Sequence, residues 1–248
     1  MAPSPRFVAA LACRNRSIRL YAKPLQLLGH QTILEHLVER LRRVKRLDQI
    51  ILAISNGEEN RIFVEYAKRL GLDYVFGDEK DMQGRLILAG DKAKADVLLR
   101  VTTECPFPYV ENIEDLLEQH LEKKADLTVC EGLPEGAYCE IISLAALKKA
   151  HAEGEDRHRS EYSTLYLCEH PEKFRLLRVQ APSHLRRPEI RLTVDYPEDL
   201  IVCRAVAEAL GQGGRYFTLE EIIAYLDAHP ALKAMNGWID SGQGRIWA

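Results

Sequence analysis

Four cations fall within ten residues near the start of the 248-residue chain: Arg14, Arg16, Arg19 and Lys23, in RNRSIRLYAK. They directly follow an apolar run, Phe7–Ala12, that reads as a buried strand. Such a strand fixes the origin of the loop, and guanidinium groups fork onto phosphate oxygens, so the arrangement suits a polyphosphate. An isolated four-charge cluster is as often a solvated basic loop. Two features favour binding: the charges come where an α/β sheet presents its ligand crevice, and Lys-Pro-Leu bounds the loop on its far side. Two carboxylates lie much further along. Glu104, in RVTTECPF, follows another apolar strand and so stands beside the same crevice; Asp195, in RLTVDYPEDL, precedes a helix. Residue type alone also allows a solvated turn glutamate and a plain N-cap aspartate. Arg85, in FGDEKDMQGRL, also reads as a surface arginine on an amphipathic helix.

Hydrophobic patterning supplies the frame that must position these groups. The spacing predicts a helix over Thr32–Val44, a strand over Asp48–Ser55 and a helix over Glu58–Leu70 closed by Gly71. A short strand at Tyr74–Phe76, a helix over Met82–Lys94, a strand over Asp96–Val101, a helix over Asn112–Lys123 and a strand over Leu127–Cys130 follow. This strict alternation predicts an α/β fold, a single domain over residues 1–248 with a mostly parallel sheet flanked by helices. The second half changes character. Strands are expected at Tyr138–Ser143, Phe174–Val179 and Ile190–Val194, and helices at Ala145–Ala152, Pro197–Leu210 and Leu219–His229, the last opened by a Thr218/Glu221 capping box. GEDRHRSEY reads as a polar loop, and the Gly-rich tail from Pro230 to Ala248 as loosely ordered or packed on a neighbour.

The bulk composition narrows the classes. A net charge of −3 argues against a general nucleic-acid binder while leaving room for a local basic site. No stretch approaches 18 continuous apolar residues and no signal-type segment follows Met1–Arg6, so a cytoplasmic protein without membrane contact is expected. The six cysteines are spread out with no CxxC pair, which favours reduced core thiols over a zinc site, and no HExxH occurs. There is no GxxxxGK[ST], and GQGGRY at 211–216 has no strand before it, so neither a P-loop nor a dinucleotide fingerprint is supported.

The basic loop carries a family resemblance. It is similar to the signature of the cytidylyltransferases that activate sugars, the acylneuraminate and 3-deoxy-manno-octulosonate enzymes, and above all to their SpsF-like branch. In the pattern A-R-x-x-S-x-R-L-P-G-K-x-L, residues Arg14, Ser17, Arg19, Leu20, Lys23 and Leu25 match, while Tyr21-Ala22 replaces Pro-Gly. In R-x-T-G-D-C-P, Arg100, Thr102, Cys105 and Pro106 match; Thr103 replaces the glycine and Glu104 the aspartate. RLTVDYPEDL resembles x-x-V-D-T-P-E-D-L, with Asp195 matching and Tyr196 in place of threonine, and Gly77, Asp81 and Arg85 match G-x-x-x-D-V-L-x-R. Weaker echoes lie at Pro134, Gly136 and Glu140 and at Glu161 and Thr164, where Ser160 and Tyr162 replace a basic pair. The likeness extends over about residues 7–230.

The resemblance implies a GT-A-like, Rossmann-like nucleotide-diphospho-sugar transferase architecture. It implies Mg²⁺ held by Glu104 and Asp195, catalytic roles for Arg14, Lys23 and Asp195, and nucleotide contacts from Arg14, Ser17, Arg19, Lys23, Ser55 and Arg85. Glu140 and Glu161 would touch the acceptor. The implied reaction is Mg²⁺-dependent transfer of CMP from CTP to an acidic sugar or a phosphorylated or phosphonate small-molecule acceptor, in surface polysaccharide or related biosynthesis. Relatives pair through the segment corresponding to 137–179, so a homodimer is expected, with Tyr162, Leu165, Tyr166 and Leu167 as its apolar contacts. Two other readings stay open. One is a homologue that binds nucleotide or sugar without turnover, favoured by the changes at Thr103 and Glu104. The other is a GT-A-like glycosyltransferase, which would normally carry a D-x-D motif that TTECP lacks.

Overall fold

Alternate side chains of the first strand enter two different cores. In β1 (Phe7–Cys13), Phe7, Ala9, Leu11 and Cys13 join one buried cluster while Val8 and Ala10 join another. A strand covered on both faces needs apolar residues at every position, which is why this stretch reads as a continuous run. A computed structural model describes residues 4–239. In chain order it shows a small hairpin, β2 (Leu27–Leu28) and β3 (Gln31–Thr32), then α1 (Ile33–Leu41), β4 (Gln49–Ser55), α2 (Ile62–Leu70), β5 (Asp73–Gly77), α3 (Met82–Ala93), β6 (Val97–Arg100), α4 (Ile113–Glu122) and β7 (Leu127–Glu131). The second half contributes β8 (Glu140–Ser143), α5 (Leu144–Glu153), α6 (Leu165–Glu169), β9 (Leu176–Gln180), α7 (Pro197–Leu210), α8 (Leu219–Ala228) and α9 (Pro230–Ala234).

The main sheet has seven strands in the order β5-β4-β1-β6-β8-β7-β9. All pairings are parallel except those of β8, which runs against both β6 and β7. The mostly parallel α/β sheet expected from the alternation is therefore present. One face is covered by α1, α2, α4, α7 and α8, the other by α3, α5 and α6. Sequence-encoded stops work as read: Thr32 and Glu35 form a capping box on α1, Thr218 and Glu221 another on α8, and Gly71 ends α2 at φ 64°. Strand order places the carboxyl ends of β1, β4 and β6 side by side, where the basic loop and the TTECP turn emerge.

Two expectations are corrected. Ile190–Val194 is not a strand; it makes one isolated bridge, Glu135 to Arg191. Its backbone partners come from two different loops, with Leu192 donating to the Glu135 carbonyl and Val194 to the Glu104 carbonyl, because the chain turns away at Gly136 (φ 85°) before a ladder can form. Within the described residues the tail packs on the body: α9 follows α8, and Asn236 is buried. In the segment 137–179, Tyr166 and Leu167 pack into the core beneath α5, whereas Leu165 is half-buried and Tyr162 stays exposed on the lining of a cleft in the same chain. Residues 240–248 of the tail lie outside the described residues.

All six cysteines are free thiols, five of them buried, as core thiols were expected to be. No helix among the described residues is long and apolar enough to cross a membrane.

Candidate active site

The loop after β1 is pinned at its root and at its tip. Buried Asn15 receives the Ala22 N–H on its carbonyl at 2.8 Å and donates its own N–H to Asn60 Oδ1 at 2.8 Å. Ala22 stands where the resembling family has glycine, and it holds a left-handed conformation of the kind glycine favours, φ 51° and ψ 43°. The next residue, Lys23, is thereby turned inward and largely buried. Its ammonium lies 2.5 Å from Asp195 Oδ1, and Arg19 reaches the same oxygen at 3.0 Å. The Arg19 guanidinium also sits over the Tyr196 ring, 5.2 Å from its centre, so the aromatic residue in place of threonine holds a cation.

Asp195 does not cap its helix. That task falls to Asp199, whose Oδ2 accepts the N–H groups of Asp195 and Tyr196, both at 2.9 Å. The Asp195 carboxylate instead faces the cleft, with Oδ2 2.9 Å from Arg191. Burial alone would raise its pKa; Lys23, Arg19 and Arg191 outweigh that and hold it below the usual range. Glu104 goes the other way. Burial raises its carboxyl, Lys23 opposes, and the charge of Asp195 reinforces the rise. The coupling places the two carboxylates within electrostatic reach of each other. They come from the ends of two separate segments, joined by the Val194 N–H to Glu104 carbonyl hydrogen bond at 2.9 Å.

A cleft of about 980 Å³ brings most of the sequence-selected residues together: Arg14, Ser17, Arg19, Lys23, Arg85, Glu104, Glu140, Glu161 and Asp195 all line it. Arg14 lies 3.6 Å from Glu161 across the mouth. Arg85 is buried rather than on the surface. It donates to the carbonyls of Cys13 and Ala53 at 3.3 and 3.1 Å, tying the ends of β1 and β4, while its Nε has no partner among the described residues. Gly77 makes room for it, since a Cβ there would come within 2.6 Å of Arg85 Cγ. Glu140 is buried between Arg100 and Thr164, each at 2.6 Å. Thr103 puts its hydroxyl on the Ala12 carbonyl at 2.9 Å, so the chain accommodates a side chain where glycine was expected. Ser55 is set apart: it is fully buried, its hydroxyl is directed at the Asn56 carbonyl, and it is not part of the cleft wall.

Sequence reasoning missed Arg191, Glu135, Asp199 and Asn236, and met Arg100 only as a motif match without a role. Buried Arg191 pairs with Glu135 at 2.6 Å, Asp199 at 2.8 Å and Asp195 at 2.9 Å. A signal existed: Arg100 ends the apolar run DVLLR, and Arg191 interrupts an apolar stretch. A charge in such a run must be paired where it is buried.

The donor set fits a hard divalent cation. Glu104 and Asp195 are oxygen ligands of the kind Mg²⁺ takes, and among the described residues no group of three or more potential ligands exists, so further oxygens would come from substrate and water.

Comparison with known proteins agrees with this geometry. Residues 9–228 match the family described as Cytidylyltransferase. The chain is 28% identical over 227 residues to the spore coat polysaccharide biosynthesis protein SpsF of Bacillus subtilis, covering 89% of this chain and 93% of that one. Its fold is similar to a cytidylyltransferase from Leptospira borgpetersenii, with a TM-score of 0.81, 20% identity and coverage of 92% and 95% of the two chains. It is also similar to CMP:2-keto-3-deoxy-manno-octonic acid synthetase complexed with CTP, with a TM-score of 0.62, 15% identity and coverage of 82% and 99%. A matched span that takes in the basic loop, Glu104 and Asp195 alike places this chain in the cytidylyltransferase family of nucleotidyltransferase enzymes.

Proposed function

We propose that the protein transfers CMP from CTP to a small acceptor, an acidic sugar or a phosphorylated or phosphonate compound, with release of pyrophosphate. The observation that carries this reading is the meeting of Lys23 and Arg19 with Asp195 at the strand ends, in a cleft roomy enough for a nucleotide and a second molecule. An acceptor oxygen attacks the α-phosphorus, the bond to the bridging oxygen breaks, and pyrophosphate carries the electron pair away. Any proton on the acceptor passes to water. Arg14, Arg19 and Lys23 hold the departing β- and γ-phosphates, where charge accumulates. Arg85 stiffens the floor of the cleft through the ends of β1 and β4. Mg²⁺, held by Glu104 and Asp195, would supply charge stabilisation at the α-phosphate. The solved relative bound to CTP supports the choice of nucleotide.

The test is a pyrophosphate-release screen of CTP, UTP, ATP and GTP, with Mg²⁺, against acidic sugars and phospho-polyols. Release with CTP alone, together with a larger thermal shift for CTP than for the other three, is the expected result. Equal shifts and no release would leave a generic phosphate site. The reading without turnover retains one observation in its favour, the longer side chain at Glu104, and is separated by the Glu104 variant described in the Discussion.

A further inference from the structure

The final turn of the described chain reaches the same carboxylates from behind. Just past α9, buried Asn236 donates from Nδ2 to Asp199 Oδ1 at 2.9 Å and to the Arg191 carbonyl at 3.1 Å. Asp199 is the fully buried carboxylate that receives the Asp195 and Tyr196 N–H groups, and Arg191 bridges Asp199 to Asp195. Two further residues follow Asn236 to the site: the Trp238 ring lies 6.4 Å from that of Tyr196, and Ile239 lines the cleft. This whole segment lies beyond residue 228, where the family match stops.

We propose that Asn236 is a positioning residue that fixes the Asp195 carboxylate through Asp199 and Arg191, making the C-terminal segment an integral part of the catalytic site. A single amide nitrogen is suited to this, because its two hydrogens can serve two acceptors at once. One goes to the side chain of Asp199 and the other to the backbone of Arg191, so the two residues that grip Asp195 are clamped to each other. Without Asn236, Asp199 Oδ1 keeps only the Arg191 Nε and the Arg191 carbonyl loses its amide donor. The buried pair then has reason to rotate, and Arg191 carries Asp195 Oδ2 with it. A residue that only packed the tail onto the body would affect unfolding and leave the orientation of Asp195 alone.

The proposal rests on the nucleotidyl-transfer reading only for its kinetic readout. Asn236→Ala, Asn236→Asp and Asn236→Ser are compared with the surface control Met235→Ala. The first readout is amide hydrogen exchange by NMR at Asp195 and Tyr196, whose N–H groups end on Asp199. Exchange at these two amides should quicken at least tenfold in the Ala and Asp variants, and less in Ser, which keeps one donor, while core-strand amides such as those of β1 stay as in the parent. The second readout is pyrophosphate release, in which kcat should fall about tenfold while KM for CTP stays within twofold. Unchanged exchange at the two amides overturns the proposal, as does full kcat in Asn236→Ala. Uniform acceleration at every amide, with kcat falling in step with the folded fraction, overturns it in favour of a packing role. Should Asn236→Ala not fold, Asn236→Ser is read by the same criteria. If the parent protein releases no pyrophosphate with any nucleotide, the transfer reading fails on that result, and amide exchange still decides the role of Asn236.

Discussion

Lys23 and Asp195 occupy each other: the ammonium sits 2.5 Å from Oδ1, and Arg19 shares that oxygen at 3.0 Å. The cations suited to phosphate and the carboxylate suited to a metal ion are thus paired with one another. An arriving triphosphate would draw Lys23 and Arg19 toward itself and uncover the oxygen, and a divalent cation held there would take over the charge balance that the two side chains now provide. Each ligand removes the other's competitor, so nucleotide and metal are expected to bind with reciprocal positive coupling.

Asp195→Asn separates the two functions. Turnover should fall by about 10²-fold or more, the scale of removing one electrostatic stabiliser. CTP affinity measured in EDTA should be equal or tighter, because Lys23 and Arg19 lose their internal partner. Pyrophosphate release and calorimetric titration check the two halves; full turnover in this variant would remove Asp195 from the mechanism.

Glu104→Asp shortens the arm by one methylene. Where Glu104 is a working ligand adapted to its site, the change lowers turnover with Mg²⁺ and shifts preference toward the larger Mn²⁺, as a metal-substitution assay would show. An inert parent protein made active by this substitution would instead identify a homologue that binds without turnover.

Two backbone positions should respond in opposite directions. Ala22 holds φ 51°, a conformation that costs a non-glycine residue about 1 kcal/mol, so Ala22→Gly should stabilise the protein by up to that amount in urea denaturation. Gly136 holds φ 85° with the Thr193 backbone nitrogen only 2.5 Å from where a Cβ would stand. Gly136→Ala should cost more than about 2 kcal/mol and also reduce turnover, since it pushes on the segment that carries Asp195.

His120 gives the acid limb of stability. It is buried against Thr128, 2.9 Å from its hydroxyl, and burial pushes its pKa down to about 4. A histidine depressed in the folded state is protonated first in the unfolded chain. Its contribution is complete above about pH 6.5 and is lost as pH falls toward 4, by up to about 3 kcal/mol. His36, half-buried beside Phe107 and pushed down to about 3 by desolvation, extends the same trend. His120→Gln should flatten the decline between pH 6.5 and 4 in denaturant titrations run at each pH.

Much of this is legible in the sequence. β1 and β4 announce themselves because strands buried on both faces must be apolar throughout, and the loop cations follow β1 directly. Ile190–Val194 misled because IRLTV has the composition of a strand, yet a strand needs a partner that runs beside it, and here the partner turns at Gly136. Tyr166 and Leu167 could not be sorted from sequence, since an interface and a core ask for the same side chains. Ser55 ends a strand at the right edge, but its side chain is buried away from the cleft. Asn236 was invisible for another reason: a polar residue in a Gly-rich tail looks solvated unless one knows that a buried carboxylate waits for it.

The place of Asn236 in the chain has a consequence for synthesis. A ribosome delivers polypeptide from the N-terminus, and domains acquire structure as they emerge. The loop carrying Arg14, Arg19 and Lys23 is made among the first segments, whereas the amide that braces Asp199 comes only after α9. A nascent or prematurely terminated product lacking Asn236 would hold the cations that attract a triphosphate, while the carboxylate needed to process it was still unbraced. Such fragments would bind nucleotide about as well as the full chain and turn it over more slowly, so the order of synthesis places binding before full activity.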